Sequence, residues 1–153
     1  MINIGNVNLL NGGEDIVHLT TIDDMHMEEV HMIKIDVKGM EHEVILGATR
    51  TITESQPVLF VENNNEERSS SLLEALLNFE YRLYWHFALY FNNANYFENT
   101  FNIFVERPEI NVLALPESKS NLVAPNLEPV VSIHDTWEEA YNRARQNGRS
   151  YIT

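Results

Sequence analysis

The sequence contains no cysteine among its 153 residues. This absence excludes a disulfide framework, a thiolate metal site and a cysteine nucleophile, and it leaves the redox compartment open. Basic residues are also scarce, because 10 lysines and arginines stand against 23 aspartates and glutamates, for a formal net charge of −13. A surface that binds nucleic acid or an anionic membrane needs clustered lysine and arginine. We therefore expect neither of these partners.

The sequence also shows no pattern typical of a targeting or membrane segment. No stretch approaches the roughly 20 consecutive apolar residues that a membrane helix requires. The N-terminus also lacks the basic segment and apolar core of a secretory signal, so we predict a cytoplasmic location. A length of 153 residues with 44% hydrophobic content leaves room for one domain with its own core. We predict a single domain over residues 1–153.

The sequence also has no glycine-rich turn of the kind that binds a nucleotide. A nucleotide-binding α/β domain normally carries such a turn after its first strand and an acidic residue after its second. In this chain the one close glycine pair, Gly12 and Gly13, follows Asn11 and separates short apolar runs at residues 7–10 and 16–19. That pattern indicates a hairpin turn. We predict an N-terminal β-hairpin and no cofactor-binding loop.

The most informative stretch runs over residues 31–41, where an apolar run stops at a carboxylate and a glycine follows. Asp36 falls at the carboxyl end of the run, and Gly39 permits a tight turn into a helix predicted over residues 40–55. In open α/β sheets, ligands bind at the carboxyl ends of strands, which makes Asp36 and Glu41 candidate functional residues. The run suits a strand buried on both faces, through Met32, Ile33, Ile35 and Val37.

A second buried strand is predicted over residues 58–61 and ends at Glu62. A right-handed crossover makes two such strands parallel neighbours, about 4.8 Å apart, so we expect Asp36 and Glu62 to face one crevice. An amphipathic helix over residues 69–79 and an aromatic strand over residues 81–87, ending near His86, are predicted next.

The last third of the chain is predicted from shorter signals. Apolar runs at residues 101–105 and 112–115 fit either a hairpin or one long irregular strand. Residues 117–129 are polar and interrupted by prolines, so we predict an exposed loop. Thr136-Trp-Glu-Glu139 fits a capping box that starts a helix ending at Gly148.

Asp36, Glu41 and Glu62 offer a set of oxygens that suits a hard cation such as Mg²⁺ or Ca²⁺, or that accepts a proton from a substrate hydroxyl. Asp36 and Glu62 are the predicted metal ligands. The alternative is that Glu41 caps the helix start and Glu62 is solvated. His86 could act as a general base or bind a substrate, because its unperturbed pKa lies near neutrality, or it could be a packed histidine. The aromatic residues between 81 and 104 could stack on a sugar, or form core and intersubunit surface.

Several motifs resemble the FkbM family of methyltransferases. The main ones are Ile33-Lys-Ile-Asp-Val-Lys-Gly-Met-Glu41, Val44-Ile-Leu-Gly-Ala48 and Pro57-Val-Leu-Phe-Val-Glu62. Further matches follow in the family's order, at Thr21-Ile-Asp23, Tyr81-Arg-Leu-Tyr-Trp-His86, Asn95-Tyr-Phe97 and Asn111-Val-Leu-Ala-Leu-Pro116. One departure is local, since the family usually has Glu at the position of Lys38.

The resemblance implies a class I methyltransferase domain of seven strands that holds S-adenosylmethionine at its first two. The chain begins just before the fourth strand, so it resembles the carboxyl-terminal half, and the resemblance implies that the last strand is antiparallel and inserted. We therefore expect an α/β fold: a partial Rossmann-like sheet plus the N-terminal hairpin. Its parts are a lead-in over residues 1–24, a core over 25–116, and a loop and C-terminal helix over 117–153.

Two functions follow from these expectations. The first is O-methylation of a small molecule or sugar with S-adenosylmethionine, with Asp36, Glu41, Glu62 and His86 as the catalytic residues. The second is a truncated, inactive methyltransferase-like domain that acts as an oligomeric assembly or small-ligand-binding module. The missing glycine turn and Lys38 favour this alternative. Half a sheet leaves the strand at residues 31–37 as an open apolar edge, so we expect a homo-oligomer or a partner chain that completes it.

Overall fold

The computed structural model describes residues 18–92, 94–104, 108–119, 121–122 and 124–149. These residues form an open sheet with five strands, in the spatial order β1-β2-β4-β3-β5. The strands are β1 (Met32–Ile35), β2 (Val58–Glu62), β3 (Tyr81–Leu89), β4 (Pro108–Pro116) and β5 (Glu128–Pro129). The helices are α1 (Glu41–Leu46), α2 (Thr49–Ser55), α3 (Glu66–Asn78) and α4 (Trp137–Gln146), preceded by a 3₁₀ turn at Asp23–Met25. The prediction of an α/β fold is confirmed.

Strand directions agree with the expected crossover. β1 and β2 are parallel, with Met32 opposite Val58 and Ile35 opposite Val61. β4 lies between β2 and β3 and is antiparallel to both, as the family resemblance implies for an inserted strand. The parallel pair places the residues that follow β1 at the same edge of the sheet as the end of β2.

The two faces of the sheet have different surroundings. Successive residues of a strand point to opposite faces. One face carries Leu59, Val61, Val112 and Trp85, and it packs with apolar residues of all four helices in the hydrophobic core. The opposite face carries half-buried side chains from β2, β3 and β4, namely Phe60, Leu113, Tyr84 and His86.

β1 is less buried than its apolar sequence predicts. Met32 is 57% exposed and Lys34 is also exposed, whereas Ile35 is 2% exposed. The prediction of burial on both faces is wrong, because the helices that build the core pack on the face of Ile35. β1 pairs with β2 alone among the described strands, so its other edge is open within the described part of the chain.

The helix predicted over residues 40–55 is two helices. α1 ends at Leu46 and α2 begins at Thr49, and the backbone amides of Arg50 and Thr51 each donate to the carboxylate of Asp23 at 2.8 Å. A carboxylate from a remote segment thus caps α2 at its N-terminus, where the helix dipole favours negative charge. Periodicity within residues 40–55 contains no trace of this contact, which is why it predicted one helix.

Other boundaries differ by a few residues. α3 begins at Glu66, three residues before the predicted start, because the Asn65 side chain caps it by accepting from the Arg68 amide at 3.3 Å. β3 continues to Leu89 rather than stopping at residue 87. Both alternatives for the two apolar runs after residue 100, a hairpin and one long irregular strand, are wrong. Residues 101–104 form no strand, and residues 112–115 belong to the nine-residue β4.

The C-terminal part shows one correction and one confirmation. The predicted loop at residues 117–129 ends in β5, where Glu128 pairs with Trp85 and is buried. α4 follows the capping box as predicted, with Thr136 Oγ1 accepting from the Glu139 amide at 3.3 Å.

Some expectations are not tested by the structure. The hairpin turn predicted at residues 11–13 lies outside the described residues, and the three-part division of the chain stays a prediction. Within the described residues, α3 is the longest helix at 13 residues, and no helix is both long enough and apolar enough to cross a membrane.

Candidate functional site

The turn after β1 is built around the carboxylate of Glu41. One of its oxygens accepts from the amides of Val37 at 3.2 Å and Gly39 at 3.1 Å, and the other accepts from Gly39 at 3.0 Å. Within this turn the backbone of Lys38 and Gly39 has positive φ, at 53° and 98°. Glu41 is buried, and its carboxylate is committed to these backbone donors. These contacts favour the alternative in which Glu41 holds the helix start and does not meet a substrate.

Arg68 holds the same turn from α3. Its guanidinium donates to the Gly39 carbonyl oxygen at 2.7 Å and to the Glu43 carboxylate at 2.8 Å. The turn is therefore fixed by Glu41 from one element and by Arg68 from another. This arrangement limits the positions that the side chains of residues 36–38 can take.

Asp36 and Glu62 meet through Lys38. The Lys38 ammonium lies 3.0 Å from Asp36 Oδ1 and 2.9 Å from Glu62 Oε1. Lys34 contacts the second oxygen of Asp36 at 3.1 Å, and Asn64 donates to Glu62 Oε1 at 2.6 Å. The two carboxylates predicted at the ends of β1 and β2 thus share one crevice, with an ammonium between them.

Glu109 adds a third carboxylate that sequence reasoning missed. Ligand oxygens of Asp36, Glu62 and Glu109 all lie within 4.8 Å of one another. Glu109 is near the start of β4, which is remote in sequence but adjacent to β2 in the sheet. No local motif marks it, so only the strand order could have revealed it.

The charges in this crevice are unequal in their proton affinity. Hydrogen bonds from Lys38 and then Lys34 lower the pKa of Asp36 to about 2, against the opposing effect of partial burial. Burial raises the pKa of Glu62, and the Lys38 ammonium only partly offsets this effect. The hydrogen bond to Glu62 raises the pKa of Lys38 above its usual range. Asp36 is therefore the firmly ionised carboxylate, and Glu62 is the better proton acceptor.

His86 lies on the same face of the sheet as Glu62, two strands away from it. It pairs with Asn111, which pairs in turn with Glu62, so two strand spacings, about 10 Å, separate the backbones of His86 and Glu62. Its ring contacts Phe60 edge-on at 5.2 Å between centroids, and its Nδ1 is buried without a hydrogen-bond partner. Burial lowers the pKa of His86, although nearby Glu109 opposes the shift. The structure therefore places His86 beside the carboxylate cluster and not within it.

The aromatic residues divide into two groups. Trp85 and Phe87 are buried in the core, as the packing alternative predicts. The loop after β3 instead presents exposed apolar side chains at Tyr96, Phe97 and Phe101.

A small cavity lies where α3 and α4 begin. Its volume is about 110 Å³, and its lining includes Asn63, Ser69, His134 and Thr136. This volume is well below the roughly 300 Å³ at the lower end of small-molecule sites. It does not accommodate a nucleotide-sized cofactor.

In a comparison with protein-family models, the FkbM methyltransferase domain matches residues 8–96, more than half of the sequence. The chain belongs to the FkbM methyltransferase family. The match contains Asp36, Glu41, Glu62 and His86, and it confirms the resemblance drawn from the motifs around them. No curated protein and no solved structure matches the sequence. In this FkbM-family chain, Glu109 lies beyond the matched residues.

Proposed function

We propose that this FkbM-family chain methylates a hydroxyl oxygen of a small molecule or sugar, and that Asp36 contacts the acceptor. The observation that carries the proposal is the position of Asp36. Its carboxylate follows a strand at the carboxyl edge of the sheet, is held ionised by two lysines, and keeps 32% of its side-chain surface exposed. Such a group accepts a hydrogen bond from an incoming hydroxyl and orients its oxygen for attack.

The remaining residues take different parts in this scheme. Glu62 lies within 4.8 Å of Asp36 and has the higher proton affinity, so it is suited to take the proton that the acceptor releases. Glu41 positions the turn that carries Asp36, through its backbone contacts. His86 lines the same sheet face and could contact the distal part of the acceptor.

The family implies S-adenosylmethionine as the donor of an electrophilic methyl group. The cavity beside α3 is too small for this donor, and the sequence shows no glycine-rich turn that would hold it. We propose that the described sheet corresponds to part of a Rossmann-like methyltransferase sheet. Its parallel pair β1 and β2 and the inserted antiparallel β4 support this assignment.

We propose that a second copy or a partner chain completes the donor side. Strand β1 offers an edge that pairs with no other described strand, and Met32 on it is largely exposed. An open apolar edge favours association with another chain. Light scattering at micromolar concentration should show an oligomer of this chain, and a monomer would count against the homo-oligomer.

The test of the catalytic proposal is the Asp36→Asn variant, assayed with radiolabelled S-adenosylmethionine and a panel of small hydroxylated acceptors. We expect methyl transfer to fall by about 100-fold, the loss that a reactant misplaced by about 1 Å can cause. Asp24→Asn is the matched control, because Asp24 is exposed on the 3₁₀ turn and is not one of the three carboxylates of the crevice. Unchanged transfer in Asp36→Asn with a native fold would show that Asp36 does not handle the acceptor.

A second function rests on a specific contact. Both oxygens of Asp36 are already engaged by lysines, which is compatible with an inactive domain whose carboxylates serve the fold alone. Such a domain would bind no S-adenosylmethionine in isothermal titration at millimolar cofactor. Saturable binding would favour the enzyme.

A further inference from the structure

The Lys38 ammonium lies between Asp36 and Glu62, two of the three carboxylates of the cluster. It contacts Asp36 at 3.0 Å and Glu62 at 2.9 Å, and the oxygens of Asp36, Glu62 and Glu109 span no more than 4.8 Å. The Glu62 side chain is 6% exposed, whereas that of Lys38 is 39% exposed. Lys38 therefore reaches from the surface to neutralise a carboxylate that has lost most of its water.

The backbone aims Lys38 at this point. Its φ of 53° is in the left-handed region, which side chains other than glycine seldom adopt. Glu41 binds the amides of the residues on both sides of it, Val37 and Gly39. A rare conformation held by buried contacts indicates that the place of this side chain is specified by the turn.

The spacing of the three carboxylates matches that around one divalent cation. Oxygens bound to a single Ca²⁺ at 2.3–2.6 Å lie at most about 5 Å apart across the ion. We propose that Lys38 is a positioning residue that serves as the built-in cation of this crevice. Its ammonium takes the place of a divalent metal, so Asp36 and Glu62 are held together without one, and removal of the ammonium opens a divalent-cation site.

This inference deepens the proposed function, since the fixed ammonium would hold Asp36 in place for the acceptor hydroxyl. Its test measures metal binding alone, with neither methyl donor nor acceptor present. Failure of the methylation proposal therefore leaves the result of this test unaffected. The inference is an alternative to the magnesium or calcium ion predicted at Asp36 and Glu62 from the sequence, and the titration of wild type distinguishes the two.

The experiment titrates the full chain with Mn²⁺ and follows free ion by electron paramagnetic resonance. Wild type and Lys38→Arg, which keeps the charge, should show no saturable binding at millimolar Mn²⁺. Lys38→Met should bind one Mn²⁺ with a Kd of about 10⁻⁴–10⁻³ M, typical of a weak carboxylate site. Lys38→Met combined with Glu62→Gln should lose that binding.

Lys34→Met is the matched control. It removes one lysine charge beside the same aspartate, but among the described contacts Lys34 binds the other Asp36 oxygen and not Glu62. It should not create Mn²⁺ binding. Equal binding by Lys34→Met and Lys38→Met would reduce the effect to net charge and overturn the proposal.

Thermal unfolding with and without Ca²⁺ covers the case in which Lys38→Met folds poorly. Ca²⁺ should raise the midpoint of Lys38→Met and leave that of wild type unchanged, because a ligand that binds the native state stabilises it. Saturable Mn²⁺ binding by wild type that Glu62→Gln abolishes would show a metal in the crevice despite Lys38. That result, or the absence of any Mn²⁺ or Ca²⁺ effect on Lys38→Met, would refute the proposal.

Discussion

Arg143 connects α4 to the sheet through two carboxylates that are shielded from water. It donates to both oxygens of Asp135 at 2.9 and 2.8 Å and to Glu128 at 3.0 Å. The Asp135 side chain is fully buried, and that of Glu128 is 5% exposed. Replacing Arg143 by Met keeps much of the side-chain volume but leaves two buried anions without their main counter-ion.

The cost follows from the partners that remain. Removing one member of a buried ion pair typically costs about 3–5 kcal/mol. Asp135 would keep hydrogen bonds from the Trp85 indole at 2.9 Å and the Val131 amide at 3.2 Å, and Glu128 would keep Arg149 at 3.2 Å. We therefore expect the low end of that range, a loss of about 3 kcal/mol in the free energy of unfolding.

Urea denaturation followed by tryptophan fluorescence measures this loss, because the Trp85 indole donates to Asp135 and reports on the network. With a slope of about 2 kcal/mol per molar urea, the midpoint of Arg143→Met should fall by about 1.5 M. Arg145→Met is the control on the same helix. Arg145 is exposed and lies over the Tyr141 ring at 5.9 Å, so its loss should cost no more than about 1 kcal/mol.

The comparison between the two variants decides the question. A midpoint of Arg143→Met within about 0.3 M of wild type, at an unchanged slope, would refute the view that this network stabilises the fold. Adding Asp135→Asn to Arg143→Met should restore part of the loss, since it removes the unpaired charge. If the double variant is no more stable than Arg143→Met, the loss of stability comes from packing and not from the unpaired charge.

Two further predictions concern backbone strain and acid. Gly39→Ala should cost about 1–2 kcal/mol in urea unfolding, because φ at Gly39 is 98° and the nearest atom to an added Cβ is 3.8 Å away, so the cost is conformational and not steric; an unchanged midpoint would contradict this reading. Hydrogen bonds from Arg143 and Trp85 lower the pKa of Asp135 despite its burial, and Lys38 lowers that of Asp36 to about 2. Their stabilisation is present above the unfolded pKa of about 3.9 and is lost as the pH falls through the folded values. The urea midpoint should be lower at pH 3 than at pH 7, and equal midpoints would contradict the assigned shifts.

Features that depend on neighbouring residues were predictable. The capping box predicts α4 because Thr136 and Glu139 are three residues apart and interact within one turn. The apolar run before Asp36 predicts a strand that ends at a carboxylate. The parallel pairing of β1 and β2 follows from the helical crossover between them, which permits one common arrangement.

Features that depend on remote contacts were not predictable. The split between α1 and α2 is set by Asp23, whose carboxylate binds the α2 amides from 27 residues away. Glu128 has a polar sequence context typical of a loop, yet it is buried, because Arg143 and Arg149 supply its counter-charges. Glu109 joins the crevice because β4 inserts beside β2.

The sequence by itself determined the family, the α/β class and the identity of Asp36 and Glu62 as carboxylates at adjacent strand ends. Only the tertiary structure decided which groups each carboxylate contacts. The carboxylate of Glu41 accepts hydrogen bonds from backbone amides, and the Lys38 ammonium lies between Asp36 and Glu62. The physical reason is that the proton affinity and availability of a carboxylate depend on the donors within about 3 Å of its oxygens. Strand register and the left-handed turn bring those donors together, and neither is encoded in the spacing of residues along the chain.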